Sequence, residues 1–169
     1  MGNESLGTTL QFLTFSLDGE VFALEIDRVR EVMDFTAVTR VPCTPDYMRG
    51  VINLRGLVVP VVDLRLKLGM SRTEKSVNTC IIITEVTVDG ETQVIGAMAD
   101  SVQEVLDLEP AQIEPPPRIG THLNTEFLKG MGKHNDQFVI ILDMDRSFSV
   151  EDLALEAIAC DEQDQVVNY

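Results

Sequence analysis

The stretch "DRVREVMDF" (27–35) decides the fold, because it returns 73 residues later as "DSVQEVLDL" (100–108) with Asp, Val, Glu, Val and Asp unchanged. A second pair, "VVPVVDL" (58–64) and "FVIILDM" (138–144), repeats at an offset of 80. Self-similarity over such lengths indicates an internal duplication of roughly 65 residues per copy. We therefore expect two equivalent units, a first copy at about 10–69 and a second at about 79–148.

Strand patterns dominate both copies. Runs rich in aromatic and β-branched residues flank Asp18-Gly19 in the first copy and Asp89-Gly90 in the second, and this pattern is typical of two-residue hairpins. No helical crossover of 10–15 residues separates the strands, which argues against a parallel α/β sheet. Pro60 should place its strand at a sheet edge or a bulge, because proline lacks the N–H that a ladder needs. The sequence therefore predicts a mainly β fold of two small barrels.

The ends of the chain differ from the copies. Residues 1–9 are polar and predict a disordered start. The segment "SVEDLALEAIA" places apolar residues on one helical face, which predicts a C-terminal helix at about 150–160. Residues 161–169 form an acidic tail.

Composition limits the partners. The chain of 169 residues carries 13 Lys and Arg against 28 Asp and Glu, a formal charge of −15, so nucleic acid and acidic membrane surfaces should be repelled. The longest apolar runs, "LVVPVV" and "FVIIL", are far shorter than the roughly 20 residues that span a bilayer, so no membrane insertion is expected. The start has no basic signal segment, which favours a cytoplasmic location.

Motifs for catalysis, metals and cofactors are absent. His122 and His134 lie in polar stretches without HExxH spacing, the three cysteines lack ligand spacing, and neither GxSxG nor a complete P-loop occurs. We therefore expect no enzyme activity, no metal and no cofactor. A general acid and base hidden among the abundant carboxylates stays open at this point.

A comparison of the copies singles out Arg55. The hairpin tip "INLRGL" (52–57) faces "GKHNDQ" (132–137) in the other copy, so the common fold does not explain the arginine. A lone donor fork among apolar neighbours suits a desolvated contact with a partner's carboxylate or carbonyl; a solvated turn residue is the alternative. Asp63 and Asp143 end matching strands in both copies, which predicts a structural role such as a cap.

These motifs carry a resemblance to a known family. "GVINLRGLVVPVVDLR", "IDRVREVMDF" and "AMADSVQEVLDLEPAQIEPPPRI" resemble the bacterial chemotaxis coupling proteins of the CheW family, over about residues 10–158. The resemblance implies two SH3-like five-stranded β-barrels with short helices. It also implies a cytoplasmic, non-catalytic adaptor that joins the cytoplasmic tip of chemoreceptors to the regulatory domain of the histidine kinase CheA, at receptor arrays on the inner face of the membrane.

The resemblance further implies binding residues. For the receptor, the matching positions come from the Val-x-Glu-Val segment, the Asn-Leu-Arg-Gly loop and the glycine before that loop; they are Val29, Glu31, Val32, Gly50, Asn53 and Arg55. For the kinase they are Glu114 and Ile119, although Glu114 replaces a basic residue of some relatives. From the residues alone, Val29 and Val32 are core candidates, and Glu31 has a counterpart in Glu104. A CheW-like scaffold for another chemosensory system, with a pilus or non-motility output, would carry the same motifs.

Overall fold

The computed structural model describes residues 9–115 and 127–147. Its strands, in chain order, are β1 (Leu10–Leu17), β2 (Glu20–Glu25), β3 (Val29–Asp34), β4 (Met48–Leu54), β5 (Leu57–Asp63), β6 (Cys80–Val88), β7 (Glu91–Ala99), β8 (Ser101–Leu108), β9 (Ile113–Glu114), β10 (Leu128–His134) and β11 (Gln137–Leu142). Within those ranges two four-residue α-helices occur, α1 (Leu64–Lys67) and α2 (Met144–Ser147). The predicted C-terminal helix, the acidic tail and residues 1–8 lie outside the described residues.

The strands form two sheets in the described part of the chain. One, here called barrel 1, has the order β3-β6-β7-β5-β4; the other, barrel 2, has the order β8-β1-β2-β11-β10-β9. The prediction of a mainly β fold with two small barrels is confirmed. The sixth strand, β9, is a two-residue segment that pairs Glu114 with Met131 of β10. Its counterpart in barrel 1 is the bridge between Thr39 and Val51, so each barrel is closed in the same way.

The duplication appears as a matched pair of hairpins. The predicted equivalence of 47–64 with 127–144 is found as β4–β5 in barrel 1 and β10–β11 in barrel 2, with starting residues 80 positions apart. In each barrel the second strand of this hairpin also pairs in parallel with a strand of another hairpin, β5 with β7 and β11 with β2. The two barrels are therefore built by the same topology.

The sheets do not follow the copies that the sequence delimits. The hairpin β6–β7, from the copy at 79–148, completes barrel 1, whereas β1–β2, from the copy at 10–69, completes barrel 2. The two copies have exchanged their first hairpins. Local patterns specify where strands and turns lie, but the partner of a hairpin is chosen by the surface it buries, and that choice crosses the boundary between copies.

Within the described residues, the buried side chains form three clusters. One fills barrel 1, from β4, β5, β6 and β7, and includes Ile52, Val61 and Ile81. Another fills barrel 2 and includes Phe12 and Ile141. The largest draws residues from both barrels and from the two helices: Leu13, Phe15, Leu17, Phe22, Leu24, Met48, Val62, Leu64, Leu68, Cys80, Ile82, Val86, Val88, Ile95, Ala97, Ala99, Leu128, Ile140, Leu142 and Met144. The barrels thus share a core, and burial of apolar area holds them together.

Asp63 and Asp143 have the structural role that the duplication predicts. Asp63 Oδ1 accepts from Arg65 N at 3.1 Å at the start of α1, and Asp143 Oδ1 accepts from Arg146 N at 3.2 Å at the start of α2. Asp63 is fully buried, and Thr73 N and Oγ1 donate to its two oxygens at 3.0 and 2.6 Å. Both carboxylates cap a short helix at the end of a strand.

Pro60 lies in an interior strand, yet no ladder bond is lost there. Its partner across β4 is Val51, whose N–H and C=O both bond to Thr39 at 2.8 and 2.9 Å. Pro60 is therefore in a non-hydrogen-bonded pair with β4. The parallel ladder to β7 begins only at Val61. The prediction that this strand lies at a sheet edge is therefore wrong. The strand is inside the sheet, and Pro60 lies where neither ladder needs its N–H.

Candidate functional site

The tip of the β4–β5 hairpin is a two-residue turn made by Arg55 and Gly56. Both have positive φ, 52° and 89°. The side chain of Asn53 supports the turn, since its Oδ1 accepts from Gly56 N at 2.7 Å. These dihedrals are those of a type I′ turn, in which both central residues are left-handed.

Arg55 is an unusual occupant of this turn. The three other two-residue turns of the fold have Asp18, Asp89 and Asn135 at the same position, with φ of 52°, 54° and 52°. Asn and Asp tolerate left-handed backbone well, whereas other L-residues adopt it at a cost of about 1 kcal/mol or more. The arginine thus makes the turn less stable, which indicates that its side chain has a role outside the turn.

Glu31 on β3 meets this arginine. Arg55 Nη2 donates to Glu31 Oε2, so the hairpin tip is joined to the strand 24 residues earlier. A bulge in β3 between Val29 and Glu31 shifts the register against β6 at this point. The prediction that Arg55 is a lone donor fork is wrong, because closure of barrel 1 brings a carboxylate to it. The side chain of Arg55 is still 72% exposed, that of Glu31 33%, so most of the fork faces solvent.

Exposed apolar side chains follow both members of this ion pair along the chain. Leu57 and Val58 continue the hairpin beyond the turn, and Val32 follows Glu31 on β3; all three are exposed. By contrast, Ile52 and Leu54 pack into the interior of barrel 1. The result is a charged pair within an apolar rim, the composition of a protein contact rather than of a reaction centre.

The other predicted receptor residues divide into surface and interior positions. Asn53 is exposed at the turn. Val32 is exposed as well, so the prediction from its residue type that it is a core residue is wrong. Val29 packs against the shared core, which is the role that its residue type alone predicts. Gly50 is buried, and a Cβ there would lie 2.3 Å from Thr39 O, so glycine is required by the fold. The structure therefore joins Glu31, Asn53 and Arg55 at the hairpin tip, whereas Val32 follows Glu31 on β3 with its side chain on the alternate face, and Val29 and Gly50 are not part of the tip.

One of the two predicted kinase residues, Glu114, belongs to barrel 2. Glu114 is exposed at the end of β9, next to β10. Ile119 lies outside the described residues. The two predicted contacts are thus on different barrels.

The second copy lacks an equivalent of the ion pair. Glu104, the counterpart of Glu31, uses its backbone to pair with Thr14 Oγ1. Its side chain has no ion pair with the turn at Asn135 among the described residues. Sequence comparison singled out Arg55 but missed Glu31 as its partner, because no local pattern links positions 31 and 55. The Asp-Gly turns elsewhere in the chain could have marked Arg55-Gly56 as an unusual turn of the same type.

The described residues contain neither a metal-ligand cluster nor a membrane-spanning helix. Within residues 9–115 and 127–147, His, Cys, Asp and Glu form no group of three or more that could hold a metal ion. Over the same residues, no helix has both the length and the apolar character needed to cross a bilayer.

Known proteins give the family. The model of the CheW-like domain matches residues 11–152. The chain is 35% identical over 155 residues to the chemotaxis protein CheW of Klebsiella aerogenes, covering 92% of this chain and 90% of that protein. It is 35% identical over 133 residues to the CheW of Helicobacter pylori, covering 79% and 78%.

A solved structure agrees with the sequence relatives. The crystal structure of the scaffolding protein TtCheW from Thermoanaerobacter tengcongensis superposes with a TM-score of 0.76 at 35% identity, over 85% of this chain and 95% of that one. The two SH3-like barrels, the family match and these relatives agree, and the chain belongs to the CheW family of chemotaxis scaffold proteins.

Proposed function

We propose that this protein is a non-catalytic cytoplasmic adaptor that couples the cytoplasmic tip of chemoreceptors to the regulatory domain of the histidine kinase CheA. The observation that carries the proposal is Arg55, held in a left-handed turn, paired with Glu31 and rimmed by exposed Leu57 and Val58. An arginine at this position lowers the stability of the turn, and its side chain remains exposed. Both features are explained if a partner protein binds that side chain.

The receptor contact is assigned to barrel 1. Glu31, Val32, Asn53 and Arg55 would meet the receptor directly, while Gly50 would act by shaping β4 and Val29 by positioning β3. The fork of Arg55 has five N–H donors, so it can keep Glu31 and still bind a carboxylate or carbonyl of the receptor. Burial of the apolar rim would exclude water around that contact.

We assign the kinase contact to the side of Glu114 on barrel 2, with Ile119 as the other proposed contact residue. Placing the two contacts on different barrels lets the adaptor hold both partners at once. Because the barrels share one core, the spacing between the partners would be fixed by the fold.

Arg55→Glu tests the receptor contact. It places two carboxylates at the pair and should weaken binding to a purified receptor fragment by roughly 30-fold or more, since unpaired charge at a desolvated contact costs about 2–5 kcal/mol. Binding to the CheA regulatory domain should be unchanged. Glu114→Ala should give the reverse pattern, with weaker binding to the CheA regulatory domain and unchanged binding to the receptor fragment. Titration calorimetry measures all four affinities, and the melting temperature shows that each variant is folded.

Three variants sharpen the result. Arg55→Asn suits the turn and should keep or raise the melting temperature while losing receptor binding. The charge-swapped pair Arg55→Glu with Glu31→Arg should remain unable to bind, because the receptor would meet reversed charges. Asn135→Glu, at the same turn of barrel 2, is the matched control and should bind the receptor normally. If the charge swap restores binding, or Arg55→Glu binds receptor as the wild type does, the proposed role of Arg55 is wrong.

A further inference from the structure

A polar cavity of about 320 Å³ opens beside the start of β4, away from the Arg55 hairpin tip. The described residues that line it include three arginines, Arg40, Arg49 and Arg72, and a single carboxylate, Asp46. We call it the arginine pocket. Three guanidinium groups around one cavity are unexpected in a chain with 13 basic and 28 acidic residues.

The three arginines are not equivalent. Arg49 is only 17% exposed, and its Nη1 donates to the buried carboxylate of Asp63 at 3.3 Å. That bond holds Arg49 in place and neutralises it locally. Arg40 and Arg72 are exposed, and in residues 9–115 and 127–147 neither has a carboxylate within 4.0 Å.

Most other arginines of the described chain differ in this respect; the guanidinium of Arg146 has no carboxylate partner in residues 9–115 and 127–147 either, but it does not line the pocket. Arg28, Arg30, Arg55 and Arg65 each pair with a carboxylate. In so acidic a chain an arginine finds a partner easily. Two arginines that lack one and converge on the same cavity thus form a site with unmet affinity for oxyanions. Guanidinium forks bind carboxylates in a bidentate geometry, which selects this class of group.

We propose that the arginine pocket binds the acidic segment 161–164 of the same chain, through the carboxylates of Asp161, Glu162 and Asp164. The first argument is complementary charge: this segment supplies three carboxylates, and the pocket supplies two arginines that have no carboxylate partner in the part of the chain that the structure describes. The formal charge of −15 disfavours an acidic segment from another molecule, whereas a tethered segment is already present at millimolar effective concentration.

Chain length permits this arrangement. Residues 148–160 connect the end of α2 to the acidic segment. With the predicted helix at about 150–160 rising 1.5 Å per residue, this connection spans roughly 25 Å. That reach exceeds the radius of gyration of a domain of this size, which is about 15 Å. Weak pairs are enough to fill the pocket under these conditions, and the contact should weaken with salt.

The first test uses the full-length chain and its arginine side-chain NMR signals. Asp161→Asn, Glu162→Gln and Asp164→Asn together remove the segment's charge and keep its shape. The Nε–Hε signals of Arg40 and Arg72 should shift between the wild type and this triple variant, and that of Arg30, paired with Glu85 on barrel 1, should not. Unchanged Arg40 and Arg72 signals would overturn the proposal. So would inorganic phosphate that shifts them in the wild type as far as neutralisation does, since a free anion would then be the occupant.

The second test adds a synthetic peptide of residues 161–168. It should bind the full-length triple variant at least fivefold more tightly than the wild type, whose own segment competes for the pocket. Adding Arg40→Ala and Arg72→Ala to the triple variant should lower that affinity about fivefold or more, and adding Arg30→Ala should leave it unchanged. A peptide affinity that is equal in the wild type and the triple variant, or indifferent to Arg40 and Arg72, would refute the assignment.

Discussion

Cys80 begins β6 with its thiol buried in the core that the two barrels share. Burial, together with the nearby carboxylates of Asp34 and Asp100, raises the pKa of this thiol from 9.0 to about 11. The folded chain therefore disfavours the thiolate, and the thiol should not react with alkylating reagents near neutral pH while the fold is intact.

This pKa shift predicts a loss of stability in alkaline solution. Because the folded pKa is raised above the unfolded value of 9.0, its contribution is complete below about pH 9 and disappears as the pH rises through 11. Between pH 8 and 10.5 the wild type should lose about 2 kcal/mol more unfolding free energy than Cys80→Val, measured by urea denaturation with reductant present. Lysine and tyrosine titrations affect both proteins equally. Identical pH slopes in the two proteins would count against this explanation.

At the same scale, the candidate site shows what a sequence can reveal about a residue. The position of Arg55 in a hairpin turn follows from "NLRG", and its absence from the second copy marks it as dispensable to the fold. Its partner Glu31 could not be inferred, because 24 residues separate them and only the closure of barrel 1 joins them. Likewise, Gly50 matches the family motif, but the close approach of Thr39 is visible only in three dimensions.

Among the elements, β4 and β10 share a device that closes each barrel. Both strands have a register irregularity at a glycine, Gly50 or Gly130. A Cβ at Gly50 would lie 2.3 Å from Thr39 O, and one at Gly130 would lie 2.8 Å from Glu114 O. In each barrel the glycine has no side chain, so a backbone carbonyl oxygen of the neighbouring segment can approach the strand closely.

Gly50→Ala should therefore destabilise the fold by about 3 kcal/mol, since the contact is with backbone and φ is +147°. Gly130→Ala should cost less, because its contact is longer. Gly19→Ala is the control: φ is also positive, but no atom lies within 4 Å, so only the turn cost of about 1 kcal/mol remains. Urea denaturation gives the three values. A Gly50→Ala cost no larger than that of Gly19→Ala would mean that the closure tolerates a side chain.

The pairing of elements was harder to predict than the elements themselves. The hairpins at Asp18-Gly19 and Asp89-Gly90 follow from turn chemistry and from flanking strand residues. The exchange of β1–β2 and β6–β7 between the copies does not, because a duplicated sequence offers each hairpin two nearly equivalent partners. Only the complete packing of three apolar clusters distinguishes them.

On the scale of the whole molecule, two polar clusters join the barrels beside the shared core. In the first, Asp145 of α2 accepts from Arg28 Nη2 at 2.5 Å and from Thr87 N of β6 at 2.7 Å. In the second, Arg65 of α1 donates to Asp100 at 3.3 Å, and Asp100 also accepts from Asp18 N at 2.7 Å.

The duplication relates these two clusters with their charges reversed. Arg65 and Asp145 occupy equivalent positions, 80 residues apart, on the two short helices. One helix thus presents a cation to the other barrel, and its counterpart presents an anion. The reversal prevents either helix from docking equally well in the other's place, since like charges would then meet, and this favours a single arrangement of the two barrels.

A double-mutant cycle on Arg28 and Asp145 measures how much this arrangement contributes. Arg28→Ala, Asp145→Ala and the double variant should give a coupling energy of about 1 kcal/mol by urea denaturation, falling as NaCl rises from 0.05 to 0.5 M. The pair Arg30–Glu85 is the control, because it joins β3 to β6 within barrel 1 and Arg30 is 52% exposed. Its coupling energy should be smaller, since it does not hold one barrel against the other.

The ion pair between Arg28 and Asp145 also affects the proposed adaptor function. If the receptor meets barrel 1 and the kinase meets barrel 2, a looser junction leaves each binary affinity intact while the ternary complex loses the geometry it needs. Asp145→Ala should therefore bind receptor fragment and kinase domain separately as the wild type does, and bind the second partner more weakly once the first is bound. Calorimetry with one partner prebound makes the comparison. The coupling energy could instead be no larger than that of Arg30–Glu85, with ternary binding unchanged. In that case the shared apolar core, and not this ion pair, sets the orientation of the barrels.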